Sequence, residues 1–513
     1  MSRRAKIFTI VGIVLGAAIL IPVIRHYQLR FAVDAYVAQL KAKGEPMDLA
    51  QVIPPPVPPE QNSAAIFLKA ASLLDTNWNI LGSNPPPVMQ MVAPGKAMIG
   101  WRQPDIRCEV ATNSWAEIQT VLAEDGEALK LLSQIVDHPK LDFDLAYQDG
   151  AEKIKFVHLS PLKRSAQRLS AAAMDNLHHG DTASAINNVS PMFALISGAS
   201  HDRMIISELV RIAIASIAMS VTWETLQSTN LTDEQLASLQ HGWMNLEFVH
   251  GYENALNMER VTCKITLSKW RDSHTELQNF CDRIKNSSDP ENKDTFFDKI
   301  KIKIKVLIWR YWWSYADELR LLKGDQALLE TVRSIETNHL FLSARLQEKN
   351  QLQKLFVTTN EETIWFSNPK EMDMHLMLSA SLRGLSAVSA KVMRVEAARQ
   401  MTVTAIALKR YQLKHGNYPP NLDSLVPEFV PTVPLDPVDG KPLRYQPKAD
   451  GTFLLYSIGE NGVDDGGDPA LEKGVESSSF NWLNPHALDW VWPQPATPEE
   501  IQKYYEQQAR KNK

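Results

Sequence analysis

Residues 7–24, Ile-Phe-Thr-Ile-Val-Gly-Ile-Val-Leu-Gly-Ala-Ala-Ile-Leu-Ile-Pro-Val-Ile, run 18 positions without a charge. As a helix rising 1.5 Å per residue the run is about 27 Å long, enough to cross the hydrocarbon core of a bilayer. Arg3, Arg4 and Lys6 precede it, so the positive-inside rule keeps residues 1–6 in the cytoplasm and sends everything after Ile24 across; Arg25 and Arg30 weaken that asymmetry. A cleaved secretory signal is the rival reading. The run exceeds a typical signal h-region and no clear small-x-small site precedes Arg25, which favours a retained anchor.

The rest of the chain has the composition of a protein that folds in water. Hydrophobic residues at 44% and charged residues at 22% exclude a wholly disordered chain, a collagen-like fibre and a polytopic transporter. With 54 Lys+Arg against 59 Asp+Glu the net charge is −5, which supplies no basic field for nucleic acid. A length of 513 residues exceeds what one core usually organises, so several domains are expected. Cys108, Cys263 and Cys281 are too few and odd in number for a disulfide framework. They read as three unrelated buried thiols, with a Cys263–Cys281 bridge as the alternative.

Residues 25–61 form a stalk and spacer: helical spacing from Tyr27 to Lys43 ends at Gly44, and Pro54, Pro55, Pro56, Pro58 and Pro59 favour a semi-rigid extended segment leading away from the bilayer. Residues 62–370 read as an α-helical domain. There Ser160 and Pro161 open a helix that Gly180 stops, Asp181 caps its return partner, and Thr232 with Gln235 makes a capping box. The apolar stretch 204–221 reads as a buried core helix rather than a second span, because Glu208 and Arg211 lie inside it. In residues 299–313 Lys299, Lys301, Lys303 and Lys305 alternate with isoleucines, and Trp309, Trp312 and Trp313 follow. The clean period of two favours a strand with one solvated face. The functional alternative is a second membrane contact, with Lys301, Lys303 and Lys305 toward anionic headgroups and Trp309, Trp312 and Trp313 at the interface.

From about Met372 to His415 a long helical pattern runs to Gly416, and two short strands follow, Leu443–Gln446 and Thr452–Ile458, joined through Asp450-Gly451, a strong hairpin signal. The fold class expected is mainly α with a C-terminal α+β module at 371–480, a long helix on a small antiparallel sheet. Residues 481–513 make a Trp/Pro-rich tail strapped across its own domain, and Thr497, Pro498 and Glu500 start a terminal helix.

Glu460, Asn461, Asp464, Asp465 and Asp468 crowd into a loop with four glycines, offering hard oxygen ligands on a pliable backbone. A solvated acidic turn is the plainer reading of the same residues.

From Thr402 to Asp468 the order of elements resembles the major pseudopilin of type II secretion systems. The resemblance is carried by the helix end Leu408-Lys409-Arg410-Tyr411, then Gly416-Asn417-Tyr418-Pro419, the Leu435-Asp436-Pro437 turn with Gly440 and Tyr445, and Leu455-Tyr456-Ser457-Ile458-Gly459-Glu460-Asn461-Gly462. It implies a pseudopilin-like head with a calcium ion after the last hairpin, for which Asn461, Asp464, Asp465 and Asp468 are the candidate ligands. The pseudopilin membrane helix starts the same helix that carries the head; here more than 300 residues separate the two. That departure supports a borrowed head rather than a fibre subunit. Over most of its length the chain also resembles large single-pass bacterial envelope proteins that end in the same pattern.

These features imply a protein anchored in the bacterial inner membrane, N-terminus cytoplasmic and bulk periplasmic. It would present a helical domain and a pseudopilin-like head to other envelope proteins, near a secretion or pilus apparatus. An envelope hydrolase with its site in the helical domain is the alternative. No His-Glu-x-x-His, Cys-x-x-Cys, Gly-x-Ser-x-Gly or phosphate-loop pattern occurs in the chain, so an enzyme is the less favoured expectation.

Overall fold

The computed structural model describes residues 3–74, 89–107, 112–150, 153–288, 296–338, 340–356, 374–475 and 482–511. Its first element, α1 (Arg3–Ala42), is one helix of 40 residues, about 60 Å long, so the apolar run and the stalk form a single rod. Its side chains are described from Leu20 on, Pro22 excepted. The outer half of the rod lies on the body, where Val33, Leu40 and Met47 form a small core with Leu322. Gly44, at φ +82°, turns the chain into the short helix α2 (Leu49–Val52). The proline run is held to the body rather than led away from it: the Val57 amide donates to Asp142 at 3.3 Å, and Arg203 donates to the Val52 carbonyl at 2.9 Å.

The body contains α3 (Ala64–Leu73), the strands β1 (Gln90–Ala93), β2 (Lys96–Met98), β3 (Ile106–Arg107) and β4 (Thr112–Asn113), then α4 (Trp115–Glu124), α5 (Gly126–Gln134), α6 (Leu159–His178), α7 (Thr182–Ala199), α8 (Ile205–Leu226) and α9 (Asp233–Met244). The expected αα-hairpin of α6 and α7 is present, with Asp181 accepting from the Ser184 amide; α6 starts one residue before Ser160, with His158 at its N-cap. Thr232 and Gln235 close their capping box at the start of α9. Among the residues whose side chains are described, α8 is the one helix long and apolar enough to cross a membrane. It is a core helix, because buried Glu208 and Arg211 pair at 2.5 Å and Arg211 also donates to the carbonyls of Ile196 and Glu247. Paired in this way, the two groups avoid the cost of an isolated buried ion, although one Glu208 oxygen has no hydrogen bond and burial raises its carboxyl.

Next come α10 (Val249–Asp272), α11 (His274–Ser288), α12 (Phe296–Ile308), α13 (Ser314–Asn338) and α14 (Phe341–Phe356). The strand expected at 299–313 is instead α12 followed by a π-helical turn, Trp309–Trp313. Alternation in the lysines and isoleucines coexists with a helical inner row, and Val306 and Trp309 of that row are buried. Packing against α11 outweighs the local period. Cys263 and Cys281 are free thiols, which overturns the bridge alternative; Cys108 lies outside the described residues.

The long helix α15 (Met374–His415) stops at Gly416, whose φ is +82°. β5 (Arg444–Pro447) and β6 (Phe453–Ser457) pair antiparallel around Asp450-Gly451, and β7 (Trp490–Val491) adds a third strand in the order β5-β6-β7. The chain is thus mainly helical, 66%, with a small C-terminal antiparallel sheet. The tail straps further than its own module: Trp490 and Trp492 are buried, but β8 (Gln494–Pro495) lies parallel to β2, and the indole of Trp223 in α8 donates to the Pro493 carbonyl at 2.9 Å. Thr497 and Glu500 cap α16 (Pro498–Lys511) reciprocally. One apolar core runs from Phe67 to Trp492.

Candidate functional site

The region where α1 leaves its apolar run gathers the features most relevant to function. Leu20, Ile21, Val23 and Ile24 are 46–60% exposed, and Tyr27 and Phe31 are exposed beyond them. The opposite side of α1 meets the π-turn. Arg25 lies over the Trp313 ring at 5.3 Å, and His26 meets the Tyr315 ring edge-on at 4.9 Å. Burial pulls the His26 imidazole below its ordinary range against a hydrogen bond to the Tyr311 backbone.

The six residues expected at a membrane surface divide here. Trp309 is not at the surface: it is buried, packs edge-on to Trp270 and donates to Asp317 at 2.8 Å. Trp312 and Trp313 are half-buried, Lys303 is exposed and Lys305 partly so, while the side chain of Lys301 lies outside the described residues. The face of α12 that points outward is instead Ile300, Ile304 and Leu307, continued by Tyr311 in the π-turn, exposed by 37%, 50%, 45% and 59%. Their spacing of four, three and four is a helical stripe. It was present in the sequence but masked by the stronger alternation of the lysines.

Just beyond α1, Glu45 forms a clamp with no signal in the local sequence. Its carboxylate accepts from Arg333 at 2.6 and 3.0 Å, from Gln326 at 3.0 Å and from Arg260 at 3.3 Å, and Arg333 also holds Glu253 at 2.6 Å. Burial by itself would raise the Glu45 carboxyl; the hydrogen bonds from Arg333 and Gln326 and the two guanidinium charges outweigh it and hold the group at about 2. Below the clamp Asp325 is buried with neither oxygen hydrogen-bonded, and desolvation pushes it up to about 8. The clamp ties the end of α1 to α10 and α13. Beside it His250, Glu253 and Glu336 bring ligand atoms within 4.8 Å of one another, although Glu253 is already paired with Arg333.

The acidic loop after β6 is held together by protein donors. Asp464 accepts from Tyr456 at 2.8 Å, from the Gly466 amide and from Arg444, which also pairs with Asp436 and Asp439. Asp465 accepts from Asn461, Asp468 accepts from the Ala470 amide, and Glu460 anchors the loop to α15 through Arg394. Asn461, Asp464, Asp465 and Asp468 are thus each engaged by protein partners, with the Arg444 guanidinium 3.3 Å from Asp464. Asp489, missed in the sequence, accepts from the amides of Gly467 and Asp468, and burial raises it to about 6.

No family model, curated protein or solved structure matches the chain. The arrangement closest to hydrolytic machinery is buried His158, Asp202 and Ser207, in which His158 and Ser207 both bond the same Asp202 oxygen, at 2.8 and 2.6 Å. A serine nucleophile needs its hydroxyl on the imidazole, so this group fixes the start of α8 rather than activating Ser207. Glu224, raised to about 8 by burial, accepts from the amides of Met89 and Gly100 and pins the β1–β2 hairpin to α8.

Proposed function

We propose that this chain is a single-pass envelope protein of the bacterial inner membrane. Residues 7–24 cross the bilayer with the N-terminus cytoplasmic, and the periplasmic body presents its C-terminal module to other envelope proteins. The observation that carries the anchor is the change of surroundings along α1. Leu20, Ile21, Val23 and Ile24 face outward, about half exposed, whereas Val33 and Leu40 are buried against α13. A helix whose apolar side chains are exposed over one stretch and covered over the next suits a rod passing from lipid to protein.

The reading of the C-terminal module as pseudopilin-like is supported by its order of elements: a long helix, a turn-rich loop and an antiparallel hairpin. Its merged core and its separation from α1 favour a recognition module over a fibre subunit.

The test is alkaline extraction of the full chain from membranes. It is expected to stay in the pellet, and L15R combined with A18R is expected to release it, since each central arginine costs about 2.5–3.5 kcal/mol of insertion. Release of the unmodified chain would end the anchor reading. Purification from detergent tests the partner: recovery of secretion or pilus components supports it, and a chain that elutes without other envelope proteins counts against it.

A further inference from the structure

We propose that the outer face of α12 and the π-turn is a binding surface for anionic phospholipid, lying flat on the leaflet from which α1 emerges. The inference deepens the anchor reading and rests on it. Three observations meet at this face. Ile300, Ile304, Leu307 and Tyr311 form an exposed apolar row, while the opposite side of the helix, at Val306 and Trp309, is buried with Leu277 and Cys281 of α11 in the core. The row is continuous with the membrane exit, because the π-turn and the start of α13 pack on the first turns of α1 after Ile24, through Arg25 with Trp313 and His26 with Tyr315. Lysines flank the row in sequence, and Lys303 is exposed.

The occupant follows from that chemistry. Alkyl and tyrosyl groups enter the acyl boundary, lysine stems extend their ammonium groups to phosphate, and half-buried Trp312 and Trp313 sit at headgroup depth. The polar partner helix α11, with Glu276, Gln278, Asn279, Asp282 and Arg283, covers the far side as a surface facing water would. The π-turn follows from the same geometry: it sits where the α12–α13 rod meets α1, and such insertions allow a helix to change course.

Full-length protein in nanodiscs of neutral phosphatidylcholine, with or without phosphatidylglycerol, carries a photocrosslinking benzoylphenylalanine at position 304, 307 or, as a distant exposed control, 463. Lipid adducts at 304 and 307 are expected at several times the yield at 463, and higher with phosphatidylglycerol. K303Q is expected to reduce that lipid preference by about fivefold, the effect of one basic residue near an anionic surface. Adduct yields at 304 and 307 equal to that at 463, in a chain still incorporated into discs, overturn the proposal and leave the anchor standing. Adducts to protein rather than lipid, or equal yields in the two discs, overturn it as well. A chain that never enters the discs defeats the anchor reading and this one together.

Discussion

Asp325 and Glu45 lie in the same interior and are pushed in opposite directions, because one has donors and the other has none. With a carboxyl at about 8 when folded against an ordinary value near 4, Asp325 binds a proton that the unfolded chain releases, so its contribution to stability falls as pH rises from about 4 to 8. D325N is expected to stabilise the full chain by on the order of 3 kcal/mol at pH 7 and by almost nothing at pH 4; denaturant midpoints in detergent at the two values check it. Glu45 has the reverse sign. Its depressed carboxyl stabilises above the unfolded value near 4.5, and that contribution is lost as pH falls toward 2. E45Q leaves Arg260 buried without a counter-charge and is expected to cost about 3 kcal/mol, seen as a lower midpoint at pH 7. In the acidic loop, Arg444 already pairs with Asp464, Asp439 and Asp436, so melting of the unmodified protein is expected to be the same in calcium and in chelator; a rise of several degrees with calcium would show that the loop binds an ion.

At the level of elements, α12 and the π-turn separate two kinds of aromatic that look alike in sequence. W309A removes a core ring and the partner of Asp317, and is expected to destabilise by about 3–5 kcal/mol. Y311A changes an exposed ring and is expected to stay within about 0.5 kcal/mol in detergent, while lowering lipid adducts at position 307 in discs. The same denaturant series, with the crosslink yield beside it, checks both. Local grammar succeeded wherever neighbouring residues set the backbone. The Asp450-Gly451 hairpin, the boxes at Thr232 and Thr497, the cap at Asp181 and the stop at Gly416 were all legible, because each is closed within a few residues. It failed at 299–313, where both periods fit the letters and the choice belongs to α11 and α1 on either side.

Across the whole molecule, the tail is part of the core rather than an appendage. Deleting residues 482–513 removes Trp490 and Trp492, the third strand of the C-terminal sheet and the strand beside β2, so the shortened chain is expected to lose its cooperative melt, as circular dichroism on heating would show. The apolar run at 7–24, the mainly helical class, the C-terminal hairpin and the strapping tail were all readable from the sequence alone, since each depends on composition, spacing or capping within one segment. The Glu45 clamp, the pairing of Arg444 with three aspartates and the outward row of α12 were not. They depend on residues such as Glu45 and Arg333, hundreds of positions apart, brought within hydrogen-bond distance by packing. Where a charge finds its partner, and which face of a helix is left uncovered, are decided by neighbours from elsewhere in the chain, and only the tertiary structure supplies them.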